Sequence, residues 1–417
     1  MTTQSRVTEE PFLAVRTGSS PARSTSTRVT AAILGLLALA GVLTLAVSGN
    51  LTLPFKQVVA LEGGMGAQAD FFADPEIERI LMKHHLTLVI TRTGSRVVAV
   101  NDLDRYDFLV TSGQPAGDLV QQRRQQADQF VKVSRPFVTP LVFATYRPYA
   151  RALERAGIIT AQPAAGRPSS GRTAVGQPLY YTLQVDAFLA AVNRRARWSD
   201  PEFDISAFGV RNGNEVLAQT SDPCTSNRGQ SYIGLLAYVL NGNQAPVGPM
   251  VDRVSALIKP ILAREGMPPA DGFGTFIDKE GAAIAPLIVS YEHEYLAYQL
   301  DYRAEHGHPD DERVLLYPTP GQISVPQFLA LNPAAERLAG LVSTDPELRK
   351  RAVQLGMRLL DRHSQDRQTQ ELPAFLAAQG LAPPSFTADS SGALLPPLSV
   401  LEQMTQAVAG CKNATGS

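Results

Sequence analysis

From residue 58 onward, short apolar runs alternate with polar, glycine-rich breaks, and the spacing reads as strand, helix, strand, short helix, strand. QVVALEGGMGAQADFF opens with the apolar run Val58 to Leu61 and then a glycine-rich turn, which predicts a strand leading into a loop. DPEIERILMKHH follows, with Asp74 as a helix cap and Pro75 at the first helical position, where a missing N–H is harmless. LTLVITRTG and YDFLVTSG predict a second and a third strand. Such alternation predicts an α/β layer with a largely parallel sheet. All three strands run into small polar loops, Gly63-Gly64-Met65-Gly66, Thr93-Gly94-Ser95-Arg96 and Thr111-Ser112-Gly113-Gln114. In an open parallel sheet, ligands collect outside the carboxyl ends of the strands, although each of these loops taken alone is also an ordinary turn.

Further on, RPFVTPLVFATYR predicts an extended apolar run, and RPYARALERAGI a helix ending at Gly157. Residues 161–178, rich in Pro, Gly, Ala and Ser, mark a loop or lobe boundary. VDAFLAAVNRRARW reads as a basic amphipathic helix, and the strand-like EVLAQTSDP leads into DPCTSNRGQSYIGLL, where Thr225, Ser226 and Asn227 crowd the start of an apolar helix. MVDRVSALIKPILAREG is helical, APLIVSYEHEYLAYQL is a strand turning into a tyrosine-rich helix, and VLLYPTP is a strand bounded by prolines. STDPELRKRAVQLGMRLLDRH predicts one helix with a Ser/Thr-Asp cap.

The first 28 residues carry Arg6, Arg16, Arg23 and Arg28 in a Ser/Thr-rich context and read as a flexible tail. Residues 29–49, VTAAILGLLALAGVLTLAVSG, contain no charge and match the length of about 20 residues that a membrane-spanning helix needs. The arginines before this segment predict a cytoplasmic N-terminus and an extracytoplasmic main body at the cell membrane. A cleaved signal peptide is the alternative, against which stand the long apolar run and the extended basic region. No cysteine lies near the span, which argues against a lipidated anchor.

The chain has 417 residues, 44% hydrophobic, enough to bury a core. Its 38 basic and 39 acidic residues give a net charge of -1, which points away from nucleic acid as a partner. The two cysteines, Cys224 and Cys411, are either one disulfide fastening the C-terminal segment to the DPCTSNRG loop or two free buried thiols. HGHPDDE at 306–312 offers metal-binding side chains without a defined ligand spacing and reads as a solvated loop. YEHEY at 291–295 lacks an accompanying nucleophile and reads as packing between lobes. No phosphate loop, nucleophile elbow or HExxH motif occurs, so neither an enzyme nor a cofactor is expected.

The order of elements, the loops GMGAQADFF, TGSR and TSGQPAG, the stretch DPCTSNRGQSYIGLLAYVL, and the strands PLVFATY and PLIVSYE together resemble a known family. It is the extracellular solute-binding proteins of the type 2 periplasmic-binding class, the group that includes molybdate and sulfate binders. LLYPTPGQISVPQFLALN followed by DPELRKRAVQLGMR adds to the resemblance, which covers roughly residues 55–410. It implies a two-lobed α/β fold with a hinge and an interlobe cleft, preceded by one transmembrane helix. Lobe 1 would comprise 55–145 plus 287–410, and lobe 2 146–286. The ligand-binding residues it implies are Ser95, Arg96, Ser112 and Gln114 from the first lobe, Ser226 and Asn227 from the second, and Tyr291 from a crossing strand. For Ser226 and Asn227, capping of their own helix is the competing role. The first loop is Gly-Met-Gly where molybdate-like members carry a serine pair, and Arg96 and Arg228 would favour a carboxylate or phosphate. The expected function is extracytoplasmic binding of a small anionic solute for transport or envelope sensing, with a membrane permease or other envelope protein as partner. The alternative is a membrane-anchored interaction protein that uses the same fold to hold a protein partner.

Overall fold

Strands β1 (Val59–Met65), β2 (Leu86–Arg92) and β3 (Phe108–Thr111) pair in parallel, with Met65 opposite both Arg92 and Val110, so their carboxyl ends lie side by side. The structure is a computed structural model that describes residues 58–66, 69–163, 177–266, 272–361, 368–385 and 392–411. The expected tail (1–28), the expected span (29–49) and most of the 161–178 loop lie outside the described residues. Among the described residues no helix is long and apolar enough to cross a membrane.

The remaining strands are β4 (Lys132–Ser134), β5 (Phe137–Tyr146), β6 (Ile159–Ala161), β7 (Tyr180–Gln184), β8 (Leu287–Tyr291), β9 (Arg313–Thr319), β10 (Gln322–Ser324), β11 (Gln327–Ala330) and β12 (Arg358–Leu359). The first sheet has the order β2-β1-β3-β11-β4, its three leading strands parallel and β11 antiparallel to its neighbours. The second has the order β10-β5-β9-β7-β6, with β8 and β12 also paired to β5. The chain passes from the first sheet to the second between β4 and β5 and returns between β10 and β11. By strand pairing, β8, β9 and β10 all belong with the second sheet. The helices that frame the site are α1 (Ser95–Val100), α2 (Gln114–Gln126), α3 (Asn227–Leu240), α4 (Pro249–Glu265), α5 (Glu292–His306) and α6 (Leu398–Ala409).

All ten residues of β5 are buried, so both of its faces and its backbone polar groups must be covered by protein. One hydrophobic cluster runs from Leu61 and Phe108 of the first sheet through Phe143 to Leu315 of the second, and a smaller one around Val98, Leu109, Leu119 and Leu329 lies beneath α1 and α2. Beside β5, Glu292 accepts hydrogen bonds from Arg358 at 2.8 Å and from the Tyr317 hydroxyl at 2.5 Å. Glu292 is 1% and Arg358 4% exposed, and a buried charge of either sign requires such a partner.

Three local expectations change. EVLAQTSDP is not a regular strand: it touches β8 through the single bridge Gln219 to Ile288, although Val216, Ala218 and Thr220 alternate inward as a strand would. The helix expected over STDPELRKRAVQLGMRLLDRH begins after its Asp345 cap and stops at Gln354. Gly356 there takes the left-handed φ of 77°, and the burial of Arg358 against Glu292 draws the following residues into β12. In HGHPDDE, Asp310 is not solvated but 3% exposed, paired with Arg313 at 2.9 Å and accepting from Tyr298 at 2.7 Å.

Glu265 closes α4 at 5% exposure and accepts the Tyr232 hydroxyl at 2.8 Å. Burial pushes its carboxyl up to about 8, so the folded chain holds a proton there that the unfolded chain releases above the ordinary carboxylate range. This contribution to stability is complete at acid pH and is lost as pH rises toward 8. Glu265→Gln is therefore expected to gain on the wild type by about 1 kcal/mol per pH unit between roughly pH 5 and pH 8, read from urea unfolding at each pH. A pH-independent difference would contradict it.

Candidate functional site

The parallel register of β1, β2 and β3 delivers Gly66, Thr93 to Ser95 and Ser112 to one edge, and they face the loop Ser221 to Ser226, Arg228, Tyr291 and Glu294 across a cleft of about 730 Å³. Ser95 and Ser112 form its first wall. Their hydroxyls are 2.8 Å apart, and the Ser112 amide donates to Ser95 Oγ at 3.0 Å. A Cβ on Gly66 would lie 2.4 Å from Ser95 Oγ, so the glycine of the first loop makes room for this hydroxyl pair. The Gly-Met-Gly loop thus accompanies a serine pair supplied by the second and third loops.

The second wall is the start of α3. Ser226 caps that helix, accepting from the amides of Arg228 at 3.1 Å and Gly229 at 3.4 Å, and lies 3.0 Å from the Ser221 hydroxyl. Its side chain is engaged with its own helix, as the capping role requires. Asn227, 1% exposed, reaches across: Nδ2 donates to the Tyr291 hydroxyl at 3.0 Å and Oδ1 accepts from the Ala116 amide of α2 at 3.5 Å. Burial pushes the Tyr291 phenol up, so it stays a neutral hydroxyl.

The two arginines behave differently from the expectation of free cations. Arg228 pairs with Glu294 and lies 5.1 Å over the Tyr291 ring. Burial pushes the Glu294 carboxyl up, but the Arg228 guanidinium, His293, the Ser290 hydroxyl and the Tyr291 amide together outweigh it and hold that carboxyl below its ordinary value. Arg96 is 3% exposed, pairs with Glu402 of α6 and does not line the cleft. Gln114 also lies outside it, its Oε1 accepting from the Val325 amide at 3.0 Å. Of the expected residues, the structure brings Ser95, Ser112, Ser226 and Tyr291 to the lining, places Asn227 just behind it, and directs Arg96 and Gln114 elsewhere.

Sequence reasoning missed Gly94, Thr225 and Glu294. The Arg96 amide donates to the Thr225 carbonyl at 3.1 Å, and a Cβ on Gly94 would lie 2.1 Å from that oxygen. The lips of the cleft touch at this point. The position of Thr225 within DPCTSNRG was its only signal. Cys224 and Cys411 form a disulfide with Cα atoms 5.2 Å apart, fastening the second lip to the C-terminal segment. Among the described residues no group of three or more His, Cys, Asp or Glu side chains is placed to hold a metal ion.

No family model matches the chain, and no curated protein matches it. Among solved structures, the fold is similar to the apo ferric ion-binding protein A of Pasteurella haemolytica at 12% identity and a TM-score of 0.48, covering 86% of this chain and 99% of that one. It is likewise similar to iron-bound HitA from Pseudomonas aeruginosa, at 11% identity and a TM-score of 0.48, covering 84% of this chain and 97% of that one. A third is the transporter solute-binding protein of Agrobacterium vitis with bound D-mannitol, at 10% identity and a TM-score of 0.47, covering 85% of this chain and 94% of that one.

Gly94 has φ -66°, open to any residue, so only crowding forbids a side chain there. Gly94→Ala is expected to lower stability by about 1–3 kcal/mol in chemical unfolding and to speed amide exchange at Arg96. Unchanged stability with unchanged Arg96 exchange would contradict the contact between the lips.

Proposed function

We propose that the chain is an extracytoplasmic binding protein that encloses a small polar solute between two α/β halves, without catalysis. The observation that carries the reading is the convergence of three parallel strand ends with the start of α3 on one cleft of about 730 Å³. A solute there meets the Ser95 and Ser112 hydroxyls, the Thr93 and Thr225 side chains and the Tyr291 ring. The expectation of an anion rested on Arg96 and Arg228. With each paired to a carboxylate, recognition by hydroxyls and amides is the better reading.

In this reading the first half is built on the β1–β3 sheet and the second on the sheet around β5, with the segments between β4 and β5 and between β10 and β11 as the hinge. Residues 29–49 would hold the body at the cell membrane with the N-terminus in the cytoplasm, beside a permease or another envelope protein. The second reading is an interaction protein whose halves stay closed around no solute. It is favoured by the contact of Gly94 with Thr225 and by the internal pairing of both arginines.

A thermal-shift screen of the full chain against sugars and polyols, amino acids, oxyanions, carboxylates and divalent metals separates the two. A solute at 100 times its dissociation constant is expected to add about 2.7 kcal/mol. Silence across every class would overturn solute binding and leave the interaction reading.

A further inference from the structure

We propose that the C-terminal helix α6 is a latch that holds the cleft closed, so that the lips part only when α6 releases one half. The proposal concerns regulation of the cleft described above and rests on the reading of that cleft as the binding site.

The central contact is Glu402, on α6. One of its oxygens accepts from Arg96 of α1, behind the first lip, and the other accepts from Gln230 Nε2 of α3 at 2.8 Å, behind the second. Arg96 is 3% exposed and Gln230 is fully buried, so a single half-buried carboxylate ties the two lips together from the rear through two buried partners. The helix packs against α2 on one side and against α3 and α4 on the other, and Gln403 donates to Asp252 of α4 at 3.2 Å.

Both ends of the segment are fixed to the rest of the fold. At its start the Ala393 amide donates to the Gly321 carbonyl at 2.6 Å, and Leu395 seats against α3 at Gly234, where a Cβ would lie 2.3 Å from the leucine side chain. At its end Cys411 is bonded to Cys224, two residues before the Ser226 cap. The C-terminal segment is therefore anchored to the second half at both ends, and through Glu402 it grips the first half between them. Separation of the lips breaks the Arg96 amide bond to Thr225 and pulls Arg96 from Glu402 in the same movement.

Amide hydrogen exchange on the full chain with no solute added tests the latch, reading residues 94–98 and 225–229 against β1, β3 and β5. Both Glu402→Gln and the pair Cys224→Ser with Cys411→Ser are expected to raise exchange at the lips at least about tenfold while the strands keep their protection. Glu402→Gln keeps an oxygen acceptor and the side-chain volume, so it reports on the latch in a folded chain. The proposal is overturned if the lips stay protected in variants whose α6 has itself lost protection, which would make the helix a packed appendage. It is equally overturned if exchange rises alike at the lips and in the strands, which would make α6 a general stabiliser. Because no solute enters the measurement, a failed solute screen and a failed latch are separate results.

Discussion

A ten-residue strand buried along its whole length has to be paired and covered everywhere, and β5 imposes that condition on the rest of the molecule. Residues Leu141 to Thr145 pair with β8, Phe143 to Tyr146 with β9, Thr139 to Leu141 with β10 and Phe137 to Val138 with β12. Four strands from distant parts of the sequence are thereby held in fixed register. That register places Tyr291, the last residue of β8, against Asn227, and it sets Glu292 beside Arg358 and Tyr317. The buried ion pair in turn fixes where β8 gives way to α5, because a displaced Glu292 would be a charge without a partner.

The cleft is a consequence of this frame and of three glycines. Gly66 leaves room for the Ser95 and Ser112 hydroxyls, Gly94 lets the lips meet, and a Cβ on Gly113 would lie 2.4 Å from Asn227 Nδ2. In each case a side chain would stand where another polar group now makes its hydrogen bond. The polar groups around the cleft are largely satisfied by one another, which is how buried polar groups persist. They favour contact of the two halves over an unlined gap.

Much of this was legible in the sequence where the signal is local. The helix cap at Asp74 with Pro75 behind it, the strand-loop alternation of residues 58–113, and the two apolar strands β5 and β8 all follow from short-range pattern. So does the gathering of Ser95 and Ser112, since parallel strands put their loops at one edge, whereas Ser226 and Tyr291 were expected at the cleft only from the family resemblance. What was not legible depends on distant partners. Arg96 meets Glu402 across 306 positions and Gln114 meets Val325 across 211, and no spacing rule reaches that far. Gly356 ended a helix whose apolar periodicity continued, because the burial of Arg358 beside Glu292 outweighed local propensity.

The central claim is that the two halves rest closed, held where their lips meet and by α6 behind them. Distance measurement between spin labels tests it most directly. Val89 of the first sheet and Val247 of the second half are 55% and 65% exposed, and the two native cysteines are already joined, so introduced thiols alone take the label. For Val89→Cys with Val247→Cys in the full chain without solute, the account predicts one narrow distance distribution. A broad distribution, or two populations that merge when solute is added, would contradict it.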